Sequence, residues 1–142
     1  MTQVDFYLLP EQQHNPLPFA CRLLEKIYGL GRRVYVMTTD EQQAKALDEL
    51  LWRHRPGSFV PHGLAGSCDH EQTNILIGST ESDGPHHEVL FNLQSEVSLS
   101  FSRYERLVEV VVPREPDQEL ARQRYRFYRE RGYPLNNHRV SN

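Results

Sequence analysis

The residues best suited to chemistry lie near the C-terminus, where arginines and aromatic residues recur at helical spacing. Residues 117–132 read DQELARQRYRFYRERG. Residues three and four positions apart on a helix are neighbours, so Arg122, Arg126 and Arg129 form one cationic ridge. Tyr125 lies beside that ridge. Because guanidinium groups hold carboxylates bidentately and a ring packs an apolar group, the pattern predicts a site for a short acidic peptide with an aromatic end, or for a chain-terminal carboxylate.

Two other interpretations of this segment stay open. Arginines beside aromatic rings also bind single-stranded nucleic acid, by charge and by base stacking. Arginines near the end of a helix can also simply oppose its dipole and remain solvated. The dipole explains Arg129 and Arg131 better than it explains Arg122, which lies further from the helix end.

A second candidate surface combines Trp52 with the segment SFVPHGLAG at residues 58–66. Trp52 ends a predicted helix, and Phe59 and Leu64 follow in an irregular stretch rich in Gly, Pro, Ser and His. Apolar side chains concentrated in a loop either pack back onto the core or meet a partner. Trp and Phe are favoured anchors of interfaces. The segment therefore predicts either a partner surface or a self-packing loop.

Catalytic chemistry finds no support in the sequence. The first two predicted strands are followed by Pro-Glu-Gln-Gln and Thr-Thr-Asp-Glu, which lack the glycines of a phosphate-binding turn. Cys68 and His70 are close, but Cys-x-His alone lacks the spacing of a zinc site. Cys21 falls among apolar residues of a predicted helix, where it is a small buried hydrophobe. We therefore expect no catalytic residue, metal or cofactor.

Alternating strands and helices must position the two candidate surfaces. Strands are predicted at residues 4–9, 33–37, 74–77, 88–93 and 109–112. One helix is predicted to end at Gly29 and a second to begin after a capping box of Asp40 and Gln43. Residues 95–104 alternate like a strand at Val97, Leu99 and Phe101, but the strand–helix alternation favours a helix there. A last helix is predicted over residues 117–131, with Gly132 as cap. This order predicts an α/β fold, a single three-layer domain over residues 1–142. Its open, mainly parallel sheet would carry helices on both faces, Rossmann-like but without a nucleotide site.

Charge, hydropathy and cysteine content argue against several classes of protein. The 142 residues carry a formal net charge of −3, which argues against non-specific coating of duplex DNA. No apolar run is long enough to span a membrane, and the N-terminus does not read as a signal peptide. Two cysteines fit free thiols in a reducing compartment, so we expect a cytoplasmic protein.

Several of these segments together resemble one known family, the chi subunit of bacterial DNA polymerase III. SFVPHGLAG at residues 58–66 follows LDELLW at 47–52, and the pair is specific. FYLL at 6–9 and ARQRYRFYRERG at 121–132 match the same family in the same order.

The resemblance implies a non-catalytic accessory subunit of the clamp-loader complex, a monomer or a heterodimer with the small psi subunit. Its other partner would be the acidic C-terminal tail of single-stranded-DNA-binding protein, so that contact with nucleic acid is mainly indirect. By position, the psi site would comprise Trp52, Phe59, Pro61, His62 and Leu64. The tail site would comprise Val112, Arg122, Tyr125, Arg126 and Arg129. Some chi proteins also join an accessory DNA-repair helicase through the psi-facing surface.

Overall fold

One parallel sheet of seven strands organises the chain, in the order β3-β4-β2-β5-β6-β1-β7. The computed structural model describes residues 1–54, 60–66, 73–81 and 86–141. The strands are β1 (Gln3–Leu8), β2 (Val34–Met37), β3 (His62–Leu64), β4 (Ile75–Gly78), β5 (Val89–Asn92), β6 (Arg106–Val111) and β7 (Leu135–Arg139). All neighbouring strands pair in parallel. Of the residues singled out in the sequence, Phe59, Cys68 and His70 lie outside the described residues.

Helices cover both faces of this sheet, which confirms the predicted three-layer α/β fold. Helices α1 (Leu17–Gly29) and α2 (Glu41–Arg53) pack on one face, and α3 (Asp117–Glu130) packs on the other. Two hydrophobic clusters result, one on each face. Because side chains alternate along a strand, odd-numbered residues of β1 face α1 and even-numbered residues face α3.

The predicted helix at residues 95–104 is wrong. Only a 3-10 turn forms there, at Phe101–Arg103. Ser98 and Ser100 donate hydrogen bonds from their hydroxyls to the carboxylate of Glu81, at 2.5 and 3.1 Å. Serine side chains that bond elsewhere compete with the helical backbone. The chain thus covers its part of the sheet with an irregular segment, and Phe101 is buried against the core from it.

Two strands were not predicted because neither has an apolar alternation. β3 is a three-residue edge strand inside the stretch interpreted as a loop, and β7 has the polar sequence LNNHR. The predicted capping box is half right. Asp40 accepts a hydrogen bond from the Gln43 backbone N–H at 2.8 Å, as predicted. The Gln43 side chain, however, accepts from the Thr39 backbone N–H, at 2.9 Å, instead of returning a bond to Asp40. Gly132 caps α3 as predicted, with φ at +78° in the left-handed region.

Candidate functional site

A buried network on the inner side of α3 fixes the rotation of this helix. Glu109 of β6 has no exposed surface and accepts from Arg124 Nε at 3.0 Å. Its second carboxylate oxygen accepts from the Tyr128 hydroxyl at 2.6 Å and from Asn92 Nδ2 at 3.2 Å. Arg124 also donates to the Ser95 carbonyl at 2.8 Å. Because Arg124 and Tyr128 point to the sheet, Arg122, Arg126 and Arg129 lie on the exposed side of the helix.

The electrostatics of this network reflect its burial. Complete burial raises the pKa of the Glu109 carboxyl, and the Arg124 charge and the two other donors oppose that rise. Burial, together with the adjacent Glu109 carboxylate, also raises the pKa of the Tyr128 hydroxyl. Tyr128 therefore stays a donor to Glu109. The sequence did not reveal this network, because Arg124 reads as one more arginine of a solvated helix.

The outer side of α3 carries the predicted cationic ridge, defined here as Arg122, Arg126 and Arg129. All three residues are exposed, and they lie at the predicted helical spacing. Tyr125 is half-buried and packs edge-on against Phe6, with ring centroids 5.2 Å apart. The Arg129 guanidinium carbon lies 6.0 Å from the centroid of the Tyr125 ring. The structure thus brings the arginines and the phenol ring together on one solvent-facing side.

A groove of about 200 Å³, here called the α3 groove, runs between this side of α3 and the sheet. Its lining residues come from α3 and from strands β1, β6 and β7, and they are Phe6, Leu8, Val111, Gln118, Ala121, Arg122, Tyr125 and Asn137. The floor is apolar, and Arg122 stands at its rim. Such a groove can take an apolar side chain while a guanidinium pairs with a carboxylate beside it.

Of the predicted tail-site residues, Arg122 and Tyr125 line the α3 groove, Arg126 and Arg129 are exposed on α3, and Val112 lies elsewhere. It packs against the core on the α1 side and lines a different cavity. Val111 takes its place, because Val111 shares a face with Glu109 by strand alternation. The Glu-Val-Val-Val run at residues 109–112 contains the pattern that predicts this placement. If Glu109 faces α3, strand alternation puts Val111 on the same face.

Arg122 has acidic neighbours of its own. Its Nη1 lies 3.6 Å from Glu115 Oε2 and 3.9 Å from Glu119 Oε1, and all three side chains are about half exposed. Exposed ion pairs of this kind contribute about 0–1 kcal/mol. An incoming carboxylate with better geometry can therefore displace them at small cost.

The second predicted surface is organised around Trp52, whose exposed fraction is 60%. The ring lies 4.8 Å from that of His62, whose side chain is only 2% exposed. His62 Nδ1 lies 2.6 Å from the Val60 carbonyl, and Nε2 lies 3.2 Å from the Asp48 carbonyl. His62 thus joins β3 to α2 and supports the indole from beneath, so it is not itself part of the exposed surface.

Two more predicted residues of this surface, Pro61 and Leu64, are half-buried. Leu64 packs against the core on the α1 side and lines a cavity of about 340 Å³ beside α2 and β4. We define the Trp52 surface as Trp52, Pro61 and Leu64. Its position beside edge strand β3 places it at the far end of the sheet from β7 and the α3 groove.

Other chemistry has few candidates in the described part of the chain. Among residues 1–54, 60–66, 73–81 and 86–141, no group of three or more His, Cys, Asp or Glu side chains is placed to hold a metal ion. Cys21 is buried, and burial raises the pKa of its thiol to about 11, so it is protonated at neutral pH. None of the described helices combines the length and the apolar character that crossing a membrane requires.

Comparison with known proteins gives a consistent result. The family model for the DNA polymerase III chi subunit, HolC, matches residues 1–136. The chain is 39% identical to DNA polymerase III subunit chi of Pseudomonas aeruginosa over 141 residues, which cover 99% of this chain and 98% of that protein. It is 30% identical to the Haemophilus influenzae subunit chi over 95% of each chain. It is 31% identical to the Escherichia coli subunit chi over 82% of this chain and 80% of that protein. With matches that extend over nearly its whole length, the chain belongs to the DNA polymerase III chi subunit family.

Proposed function

We propose that this chain is a non-catalytic accessory subunit of the DNA polymerase III holoenzyme with two docking surfaces. The α3 groove and the cationic ridge bind the acidic C-terminal tail of single-stranded-DNA-binding protein. The Trp52 surface binds the psi subunit, which connects the chain to the clamp loader. The protein would thus link the clamp loader to the protein that coats single-stranded template.

The observation that carries the tail site is an apolar groove with the Arg122 guanidinium at its rim and two further exposed arginines, Arg126 and Arg129, on the same helix. An acidic tail that ends in an apolar residue presents a side chain for the floor and a carboxylate for Arg122. Arg126 and Arg129, one and two turns beyond Arg122 along α3, lie where acidic residues preceding that end would pass. Tyr125 closes the groove between these two parts.

The psi site is supported by an exposed indole, that of Trp52, which packs on one side against His62. An exposed large ring on a surface costs little conformational entropy to bury when its orientation is already fixed. The Trp52 ring packs against the largely buried His62 ring, which limits the orientations open to it. Interface hot spots are enriched in Trp, and their loss costs about 2 kcal/mol or more.

A peptide titration tests the tail site. A fluorescent peptide with the last residues of single-stranded-DNA-binding protein should bind the wild-type chain, and Arg126→Ala should weaken binding about tenfold, as loss of a charge-assisted hydrogen bond would. Arg32→Ala is the matched control, because Arg32 is exposed like Arg126 but lies near the amino ends of the strands, where it pairs with Glu88 and Glu105. A peptide with an amidated C-terminus should bind the wild type as weakly as an Arg122→Ala variant binds the free acid, because Arg122 pairs with the terminal carboxylate. Unchanged affinity for the amidated peptide would contradict carboxylate recognition.

A co-purification experiment with psi tests the other surface. Trp52→Ala should abolish the complex with psi and leave tail-peptide affinity unchanged, whereas Arg126→Ala should keep the complex with psi. Leu99→Ala, an exposed apolar residue elsewhere, controls for general loss of apolar surface. If Trp52→Ala lost both partners, a folding defect would be the better explanation, and the thermal melt of the variant would show it.

A further inference from the structure

A second groove, of about 380 Å³, lies on the opposite face of the sheet, between α1 and edge strand β7. We call it the α1 groove. Its polar lining residues are Tyr7, Arg22, Lys26, Arg106, His138 and Arg139. Among the described residues that line it there is no carboxylate, although the chain as a whole has a net charge of −3. A cationic groove on an acidic protein indicates an anionic ligand.

Three of these cations are not neutralised by the described part of the chain. Arg22, Lys26 and Arg139 are exposed, and none forms an ion pair within 4 Å with a carboxylate of residues 1–54, 60–66, 73–81 or 86–141. Arg22 and Lys26 are one turn apart on α1, so their charges lie along the same side of the groove. Arg139, at the end of edge strand β7, lines the groove on its other side. The groove therefore offers positive charge on both walls.

A rigid pair of stacked rings lies between these walls. The rings of Tyr7 and His138 are 4.4 Å apart and 14° from parallel. Asp5, buried beneath them, lies 3.1 Å from His138 Nε2 and accepts from Arg106 Nε at 2.7 Å. Arg106 Nη2 in turn donates to the Tyr7 hydroxyl at 2.7 Å. Asp5 thereby neutralises Arg106 and fixes both rings, while the His138 side chain stays 42% exposed.

We propose that the α1 groove binds a short segment of single-stranded DNA. One base stacks on the exposed face of the His138 ring, whose other face lies against Tyr7, and the flanking phosphates pair with Arg22, Lys26 and Arg139. Aromatic rings combined with cations that follow a backbone are the usual features of single-strand binding. The bases of a duplex are already stacked on one another and cannot reach such rings. The flat, parallel ring pair also distinguishes this groove from the α3 groove, where Tyr125 packs edge-on against Phe6.

The proposal does not depend on tail binding in the α3 groove. The two grooves lie on opposite faces of the sheet, so a tail and a strand can be bound at the same time. Binding of the strand should be weak, with a Kd of about 10⁻⁴–10⁻⁶ M at physiological salt, as for other sequence-independent contacts to nucleic acid.

Fluorescence anisotropy with a labelled oligo(dT) tests the number of phosphate contacts. Three cations predict that log K falls with log salt at a slope of about −2, from a contribution of about −0.7 per contact on a single strand. Arg22→Ala and Lys26→Ala should each reduce the slope by about 0.7. Arg32→Ala, the exposed control elsewhere, should leave it unchanged. A wild-type slope and affinity in an Arg22→Glu, Lys26→Glu double variant would overturn the proposal.

The contribution of base stacking is tested with a variant that lacks the His138 ring and with an oligomer that lacks bases. His138→Ala should weaken oligo(dT) binding about fivefold or more, the lower end of base–aromatic stacking. The same variant should bind an abasic oligomer of equal length as the wild type does. Equal affinity of the wild type for oligo(dT) and the abasic oligomer, or equal affinity for a polyglutamate peptide, would show an unspecific or peptide-binding cationic surface and contradict the proposal. Tail-peptide binding, measured on every variant, separates loss of this site from loss of fold.

Discussion

The two sides of α3 use the same residue type for different purposes. Arg124 and Arg122 are two positions apart in one helix, yet their side chains are 7% and 58% exposed. Arg124 donates to a fully buried Glu109 at 3.0 Å, whereas Arg122 lies 3.6 and 3.9 Å from two exposed carboxylates. Glu109 stays paired with Arg124 because it is buried, whereas water and salt ions can replace the exposed partners of Arg122.

This difference shows how a helix can present a cationic ridge in a defined orientation. A solvated arginine helix has no reason to prefer one rotation about its axis over another. The Glu109 network supplies that reason, because Arg124 and Tyr128 both bond to one carboxylate of β6. The ridge is therefore positioned by polar groups that never meet the partner.

The largest expected effect follows from breaking the inner pair. Arg124→Met should lower the free energy of unfolding by about 3–5 kcal/mol, because it leaves the Glu109 charge buried without its cation. Arg122→Ala should change it by no more than about 0.5 kcal/mol, as other exposed substitutions do. Urea denaturation measures both. The double variant Glu109→Leu, Arg124→Met should recover much of the loss, since apolar replacements of buried pairs are often neutral. Equal stability of the two single variants would show that the inner pair has no structural role.

A second prediction compares the carboxylates on the two faces of the sheet. Burial alone would raise the pKa of Asp5, but hydrogen bonds from His138 and Arg106, with the Arg106 charge, outweigh it and lower that pKa below its usual value. The pKa of Glu109 shifts the other way, by burial. A lowered pKa in the folded state gives stability that is present above the unfolded pKa of about 3.9 and is lost as the pH falls through the folded value.

Asp5→Asn should therefore destabilise the protein by about 1.5–3 kcal/mol at pH 7, the range for hydrogen bonds to charged groups. The difference from wild type should shrink as the pH falls from about 5 to about 2, because the wild-type carboxyl then becomes protonated. Urea denaturation at a series of pH values measures this difference. A gap between the two proteins that is constant over this range would mean that Asp5 acts by shape and not by charge.

The sequence predicted the parts of the fold that depend on apolar patterning. The five apolar strands, the three long helices and the Gly132 cap all follow from periodicity and local backbone preference. The polar edge strand β7 could not be predicted in this way. β7 forms because its backbone pairs with that of β1, and the sequence LNNHR contains no pattern that predicts this pairing.

The candidate site was predictable to the same extent. Helical spacing placed Arg122, Tyr125 and Arg129 on one side of α3, and the structure agrees. The groove floor was not predictable, because Phe6, Leu8 and Asn137 come from strands distant in sequence. The order of the strands in the sheet decides which of them meet α3, and no single segment encodes that order.

The smallest expected effect tests whether the outer arginine is held back by its own neighbours. Glu119→Gln removes a charge 3.9 Å from Arg122 while keeping the shape of the side chain. Tail-peptide affinity should rise about two- to fivefold at low salt, because an exposed ion pair of up to about 1 kcal/mol no longer competes. Stability should fall by about 0.3–1 kcal/mol, since Glu119 lies in the first turn of α3 and favours its dipole.

Salt and a matched control separate this competition from a change in net charge. At about 1 M salt the Debye length is about 3 Å, so the gain in affinity should disappear. Glu105→Gln removes the same charge from an exposed residue that pairs with Arg32, away from the groove, and should leave tail affinity unchanged. If Glu105→Gln raised the affinity as much as Glu119→Gln, long-range charge and not the pair at Arg122 would govern tail binding. Arg122 would then contribute to encounter with the tail and not to its bound geometry.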